Sequence, residues 1–271
     1  MLFFNSLKSI VSLIAIFSAD ALSSSILAQP NPVMNLEEHL GLSLSPEQAR
    51  SMSEKGEAAA QTELGIRYVL GIGVEANTKE AEKWLLKASE QNNPVAQCNL
   101  GFLYFSPSIR DVSAAIKWLH KSANAGNTEA QSFLGSLYRQ GKYVPINYEH
   151  SIKWYLLAAK KGDASSMNAI GLLYMEGKGV NQNYVEAATW LEKAAKLGQE
   201  AAQRHLGNLY ALGRGVEQSY PKAYAWLSMA IEQNFSPAEI DKSNLIAKMS
   251  PEEIRSGELL LATLRDTKPK K

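Results

Sequence analysis

The chain has 271 residues with 28 basic and 27 acidic side chains, a formal charge of +1, and this balance excludes the basic footprint of a protein that binds nucleic acid or anionic membrane. Aromatic residues make up 8%, and alanine recurs through the middle of the chain, which favours close-packed helices over a β-rich core because small residues let helix axes approach. Cys98 is the only cysteine, so no internal disulfide can form.

The first element is Lys8 followed by an apolar run from Ser9 to Ala19. The run falls short of the roughly 18 residues that a spanning helix needs. Residues 1–28 therefore read as a secretory signal peptide, with candidate cleavage after Ala21 or Ala28. The expectation is a soluble product in the periplasm or outside the cell, with no membrane span. Residues 29–44 read as a linker. At Ser45-Pro46-Glu47-Gln48 an N-cap serine, a proline at the first helical position and a glutamine three residues after the serine start a helix that runs through Ala49 to Gly56. This helix is expected to cap the first repeat.

Five repeats follow, near residues 60–95, 96–129, 130–165, 166–201 and 202–238, so the solenoid with its N-terminal cap spans 45–238. Glycines at Gly65, Gly101, Gly135, Gly171 and Gly207 are separated by 36, 34, 36 and 36 residues. Tryptophans at Trp84, Trp118, Trp154, Trp190 and Trp226 are separated by 34, 36, 36 and 36. This period marks a repeat array. Glycine to tryptophan is 19 residues in four repeats and 17 in the second, so the deletion lies in the second repeat's own loop, where Phe105-Ser106-Pro107-Ser108 replaces a glycine-rich turn.

Each repeat reads as two helices. The first carries the glycine, which lets the second approach closely and offsets a helix-propensity cost of about 1 kcal/mol. Gly71-Ile72-Gly73, Gly177-Lys178-Gly179 and Gly213-Arg214-Gly215 form turns in which glycine takes the left-handed conformation; Lys142-Tyr143 breaks this in the third repeat. On the second helix Ala187, Trp190, Leu191 and Ala194 share a face, and the tryptophans read as core anchors. Ser250-Pro251-Glu252-Glu253 starts a C-terminal helix whose Ile254, Leu259 and Leu261 would close the far end, so residues 239–271 are expected to be capping helices and a tail. The fold class is all-α: an α-solenoid of five helix-turn-helix repeats capped at both ends.

The pattern Ala-x-x-x-Leu-Gly-x-x-Tyr, Gly-x-Gly-Val, Tyr-x-x-Ala-x-x-Trp and a closing Ala-Ala-x-x-Gly resembles the Sel-one-like repeat, a relative of the tetratricopeptide repeat. Repeats four and five match almost fully; Thr78 and Val112 stand where tyrosine is usual. The resemblance implies a right-handed superhelix whose first helices line a concave surface. It also implies a non-catalytic exported adaptor or regulator acting in motility, polysaccharide control, envelope maintenance or host-cell entry. Some similar periplasmic proteins are immunity proteins that neutralise phospholipase effectors of type VI secretion, so an effector lipase or an envelope component is the expected partner. A cysteine-rich branch is linked to β-lactam binding or hydrolysis; this chain lacks its paired cysteines, which sets a β-lactam- or peptidoglycan-acting enzyme behind the adaptor reading.

Positions three before, one after and four after each shared glycine vary between repeats and lie on one helix face. Among them Ile66, Phe102, Phe105, Leu172 and Met175 are candidate apolar anchors, with Arg139 and Arg204 supplying polar registration. Packing between neighbouring repeats is the alternative for the apolar ones. No cofactor or metal is expected: His39, His120, His150 and His205 are scattered, without a carboxylate or cysteine at ligand spacing. Ser219-Tyr220-Pro221-Lys222 has the spacing of a serine–lysine nucleophile pair, but Ser219 aligns with Asn147 and Asn183 and is simplest as an N-cap.

Overall fold

The computed structural model describes residues 41–266; the expected signal peptide, the expected linker up to residue 40 and the tail from residue 267 lie outside the described residues. Within them the chain is helical, with no strand. α1 (Pro46–Glu54) is followed by the pairs α2 (Ala58–Leu70) and α3 (Thr78–Glu90), α4 (Pro94–Phe105) and α5 (Val112–Asn124), and α6 (Thr128–Gln140) and α7 (Tyr148–Ala159). Two further pairs are α8 (Ala164–Glu176) and α9 (Tyr184–Lys196), and α10 (Glu200–Leu212) and α11 (Tyr220–Ile231). α12 (Pro237–Ile246) and α13 (Pro251–Asp266) end the chain. Each first helix starts about two residues before the frame that the glycine spacing sets. The chain divides inside α6, between Leu134 and Gly135, into two compact units.

Both capping boxes form. Ser45 Oγ accepts from Gln48 N at 3.2 Å, and Gln48 Oε1 accepts from Ser45 N at 2.9 Å. Ser250 N donates to Glu253 Oε2 at 2.8 Å, and Glu253 N donates back to Ser250 Oγ at 3.2 Å. Within a repeat the two helices run antiparallel: in the first, Gln61 at the start of α2 bonds Gln91 just after α3, while the Asn77 amide bonds the Tyr68 carbonyl. The glycine in the middle of each first helix is there for contact. A Cβ on Gly65 would stand 2.6 Å from Leu85 Cγ, the residue after Trp84. In the third repeat the same place is taken by the Tyr155 ring, 2.6 Å from where a Cβ of Gly135 would be.

A second contact joins successive repeats and has no counterpart in the sequence reading. Gln61, Gln97, Gln131 and Gln203, each four residues before a shared glycine, are buried and donate Nε2 to the carbonyls of Ser53, Ser89, Ala123 and Ala195 at 3.1, 3.2, 2.9 and 3.1 Å. Each bond gives a helix-end carbonyl a second donor, beside the amide of Gly56, Asn92, Gly126 or Gly198 that it already accepts. Ser53 belongs to α1, so α1 stands where a preceding second helix would. In the fourth repeat Met167 replaces the glutamine.

The turns explain the two departures from the repeat pattern together. Gly179 and Gly215 adopt φ of 72° and 71°, and a Cβ on them would lie 2.7 Å from the Tyr148 carbonyl carbon and 2.1 Å from the Tyr184 carbonyl oxygen. The second glycine of a turn thus lies on the tyrosine that opens the preceding repeat's second helix. Thr78 and Val112 replace that tyrosine ahead of the two turns without this glycine. In the second repeat Arg110 takes the left-handed conformation instead, φ 52°. The third keeps its cap at Gly141, φ 71°, and loses only the second glycine, to Tyr143.

The tryptophans are core anchors: Trp84 and Trp226 are buried and the other three half-buried. Lys87, Lys121 and Lys193 cover the outer faces of Trp84, Trp118 and Trp190 at 4.5, 4.3 and 4.4 Å from the ring centroid. At the C-terminal end the closing stripe of α13 is Gly257, set against the Tyr224 ring, with buried Leu261 one turn on. Leu259, placed on that face by sequence, is 72% exposed, because it lies two residues beyond Gly257 and so on the opposite side of the helix.

Candidate functional site

In the N-terminal unit Ile66 and Phe105 are half-buried on the first helices. Phe102 is a correction to the list of anchors: it is 1% exposed, with its ring edge-on to Phe133 at 5.0 Å and 81°. It supports the surface from beneath. Phe105, 5.8 Å from the same ring, and Phe133 itself are half-buried and are the parts of this aromatic group that reach solvent. Phe133 was missed; its signal is an aromatic in the column that otherwise holds Glu63, Asn99, Ala169 and His205.

Also missed was a buried ion pair. The first repeat has Arg67 where the others have Leu103, Leu137, Leu173 and Leu209, and its guanidinium donates to Glu63 Oε1 at 3.2 Å and to the Ile72 carbonyl at 3.2 Å. Arg67 also bonds the Leu44 carbonyl, while Glu63 accepts from the Leu44 and Ser43 amides at 2.9 and 3.1 Å. The pair clamps the main chain that leads into α1.

In the C-terminal unit Leu172 and Met175 are half-buried on α8, and Met175 packs against the core of this unit. Arg139, on α6, is held by the Tyr155 hydroxyl, whose pKa is raised by burial and drawn back by that guanidinium. Its Nε is buried without a hydrogen-bond partner. Arg204 does not stand free. Its Nε donates to Asp241 Oδ2 of α12 at 2.5 Å, beside Asn208 Nδ2 at 2.8 Å. The pKa of His205, next in sequence, is lowered by burial and by Arg204.

The serine and the thiol that could carry chemistry are committed to the fold. Ser219 Oγ accepts from the Lys222 amide at 3.4 Å, which is the N-cap bond of α11. A cleft of about 440 Å³ beside α11, α12 and α13 has two of its cations engaged, Arg265 with Glu232 at 2.5 Å and Lys242 over the Tyr224 ring at 4.1 Å. The Cys98 thiol is buried, and burial pushes its pKa well above the ordinary range, with the Glu129 carboxylate adding to the shift. Thiol reagents are therefore expected to leave Cys98 unmodified in the native chain at pH 8 and to titrate one thiol after denaturation. Fast native labelling would show that α4 opens. The sign of the linkage is also set: the contribution of the buried thiol is complete below the unfolded value of about 8.5 and is lost as pH rises above it, since only the unfolded thiol ionises.

Five consecutive segments, residues 58–93, 94–127, 128–163, 164–199 and 200–235, match the Sel1 repeat family. The crystal structure of a Sel1 repeat protein from Oxalobacter formigenes is similar at 31% identity and a TM-score of 0.67, covering 86% of this chain and 97% of that one. A second, c5321, a protective antigen present in uropathogenic Escherichia coli strains, has an SLR fold and is 24% identical at a TM-score of 0.52, over 95% of this chain and 64% of its own. That likeness is one of fold alone. The immunity protein Pa5087 of Pseudomonas aeruginosa is 20% identical at a TM-score of 0.46, over 71% of this chain and 75% of its own. No curated protein matches the chain.

Proposed function

This chain belongs to the Sel1 repeat family, and from that premise we propose that it is an exported, non-catalytic scaffold that holds another protein on its first-helix faces. The observation that carries this is the contrast between the two kinds of position on each first helix. Residues that build the repeat recur: the glycine, the leucine two positions on, and the glutamine of the inter-repeat bond. Residues at the three variable positions differ, and several stay part-exposed: Ile66 and Phe105 in one unit, Arg139, Leu172 and Met175 in the other. Half-exposed apolar side chains on a rigid helix face are the usual anchors of a protein contact.

Export to the periplasm or outside the cell is supported by Lys8 and the apolar run after it. Partners of two classes fit there: a secreted phospholipase effector, which would make the chain an immunity protein, or a component of the envelope. A non-catalytic role agrees with a thiol kept protonated by burial and a Ser219 hydroxyl committed to a helix cap.

The test is crosslinking in intact cells, followed by mass spectrometry of what co-purifies with the chain from an osmotic-shock fraction. Leu172→Glu together with Met175→Glu is expected to reduce recovery of the partner by at least about tenfold. Undiminished recovery would remove the face assignment, and absence of the chain from that fraction would overturn export. Stoichiometric inhibition of a co-purified lipase would assign the immunity role; an uninhibited or absent lipase would leave the envelope adaptor.

A further inference from the structure

α12 packs against both α10 and α11, and it places a carboxylate where a partner was expected. Arg204 and Asn208 stand three before and one after Gly207, one turn apart, and converge on the single oxygen Oδ2 of Asp241 at 2.5 and 2.8 Å. The Arg204 and Asp241 side chains are only 30% and 21% exposed, so their charge-assisted bond forms partly out of water, where it is stronger than at an open surface. In the fifth repeat, then, the variable face is already occupied by a helix carrying an acid, and that helix comes from the same chain.

α12 is loosely committed to this place. Ser236, its N-cap, makes no side-chain cap bond, and Asn234 in the turn before it takes a φ of 59°. Of its residues only Ala238 and Leu245 are buried, while Ile240 is 69% exposed. α13 keeps a direct contact with α11, through Gly257 on Tyr224, that does not pass through α12.

We propose that Arg204 and Asn208 form a receptor for a carboxylate-bearing helix, that α12 is its resident occupant, and that the partner binds by replacing α12 with an acidic helix of its own. This rests on the reading of the chain as a protein-binding scaffold. The two halves of the ion pair then act with opposite sign: loss of Asp241 opens the receptor, and loss of Arg204 destroys it. A bridge that served stability alone would move binding in one direction.

The probe is a labelled peptide with the sequence of residues 236–247, together with a version carrying asparagine in place of its aspartate, titrated into the full chain by fluorescence anisotropy. Tethered α12 competes at an effective concentration on the order of millimolar, so the unaltered chain binds the peptide weakly. Asp241→Arg sets a cation against Arg204 and frees the face. The acidic peptide is expected to bind this variant at least about tenfold more tightly than it binds the unaltered chain, and at least about tenfold more tightly than the asparagine peptide does. Adding Arg204→Leu should erase both differences. Asp241→Asn, close in size, should move binding in the same direction and carries the test if Asp241→Arg unfolds. Equal binding of the two peptides, or no gain over the unaltered chain, overturns the proposal. A crosslinked partner recovered equally with Asp241→Arg and with Arg204→Leu would remove this receptor and leave the scaffold reading standing.

Discussion

Glu63→Ala is expected to destabilise the N-terminal unit by about 3 kcal/mol, because it leaves the charge of Arg67 in the interior without its counter-ion. Arg67 is 1% exposed and keeps the carbonyls of Leu44 and Ile72 as acceptors. The Ser43 and Leu44 amides lose their acceptor at the same time. A cost at the low end of the range for broken buried pairs follows, since those carbonyls still receive the guanidinium. Glu63→Leu with Arg67→Leu gives the first repeat the leucine that the other four have, and well-packed apolar replacements of buried ion pairs are commonly neutral or better. Urea unfolding followed by circular dichroism should show the loss in the single variant and its recovery in the double one. Hydrogen exchange at residues 43–54 should be fast in both, because the clamp on the entry to α1 is gone in both. A loss below about 1 kcal/mol in Glu63→Ala would mean that water takes the place of the carboxylate.

Gly215→Ala is expected to cost the C-terminal unit about 3 kcal/mol, from two additive sources. An L-residue at φ 71° costs about 1 kcal/mol, and the new Cβ would be 2.1 Å from the Tyr184 carbonyl oxygen and 2.2 Å from its carbon, a backbone clash that only a shift of the turn relieves. Gly162→Ala is the control in the same unit. It has φ 88° and nothing within 4 Å of a Cβ, so only the conformational cost of about 1 kcal/mol applies. Urea midpoints of the two variants give the difference. Equal losses would show that the turn moves freely and that the close approach to Tyr184 contributes nothing.

Much of the scaffold is legible because its signals are local. The capping boxes at Ser45 and Ser250 lie within four residues, and the left-handed turn glycines are set by the chain's own backbone. The mid-helix glycine and the residue after each tryptophan are 20 residues apart in four repeats and 18 in the second, so a contact between helices appears as a period. The Gln61, Gln97, Gln131 and Gln203 column is periodic too, apart from Met167 in the fourth repeat. It was overlooked because a polar residue in a helix reads as solvated, and nothing in the chain states that a carbonyl of the preceding helix waits beside it.

The candidate site is where the reading and the structure part. Sequence alone determined the helical repeat, the capping boxes of its end helices, and the column of variable first-helix positions. Tertiary structure decided which of those positions are surface. Phe102 is covered because Phe133 comes over it from the next repeat, Arg204 is engaged because Asp241 reaches it from α12, and Arg67 replaces a leucine because the main chain at Ser43 and Leu44 needs partners. The periodic residues recur because every repeat meets the same neighbour. At the ends and in the shortened repeat the neighbour differs, so there the exposure of a side chain depends on residues distant in sequence, beyond the reach of any fixed offset.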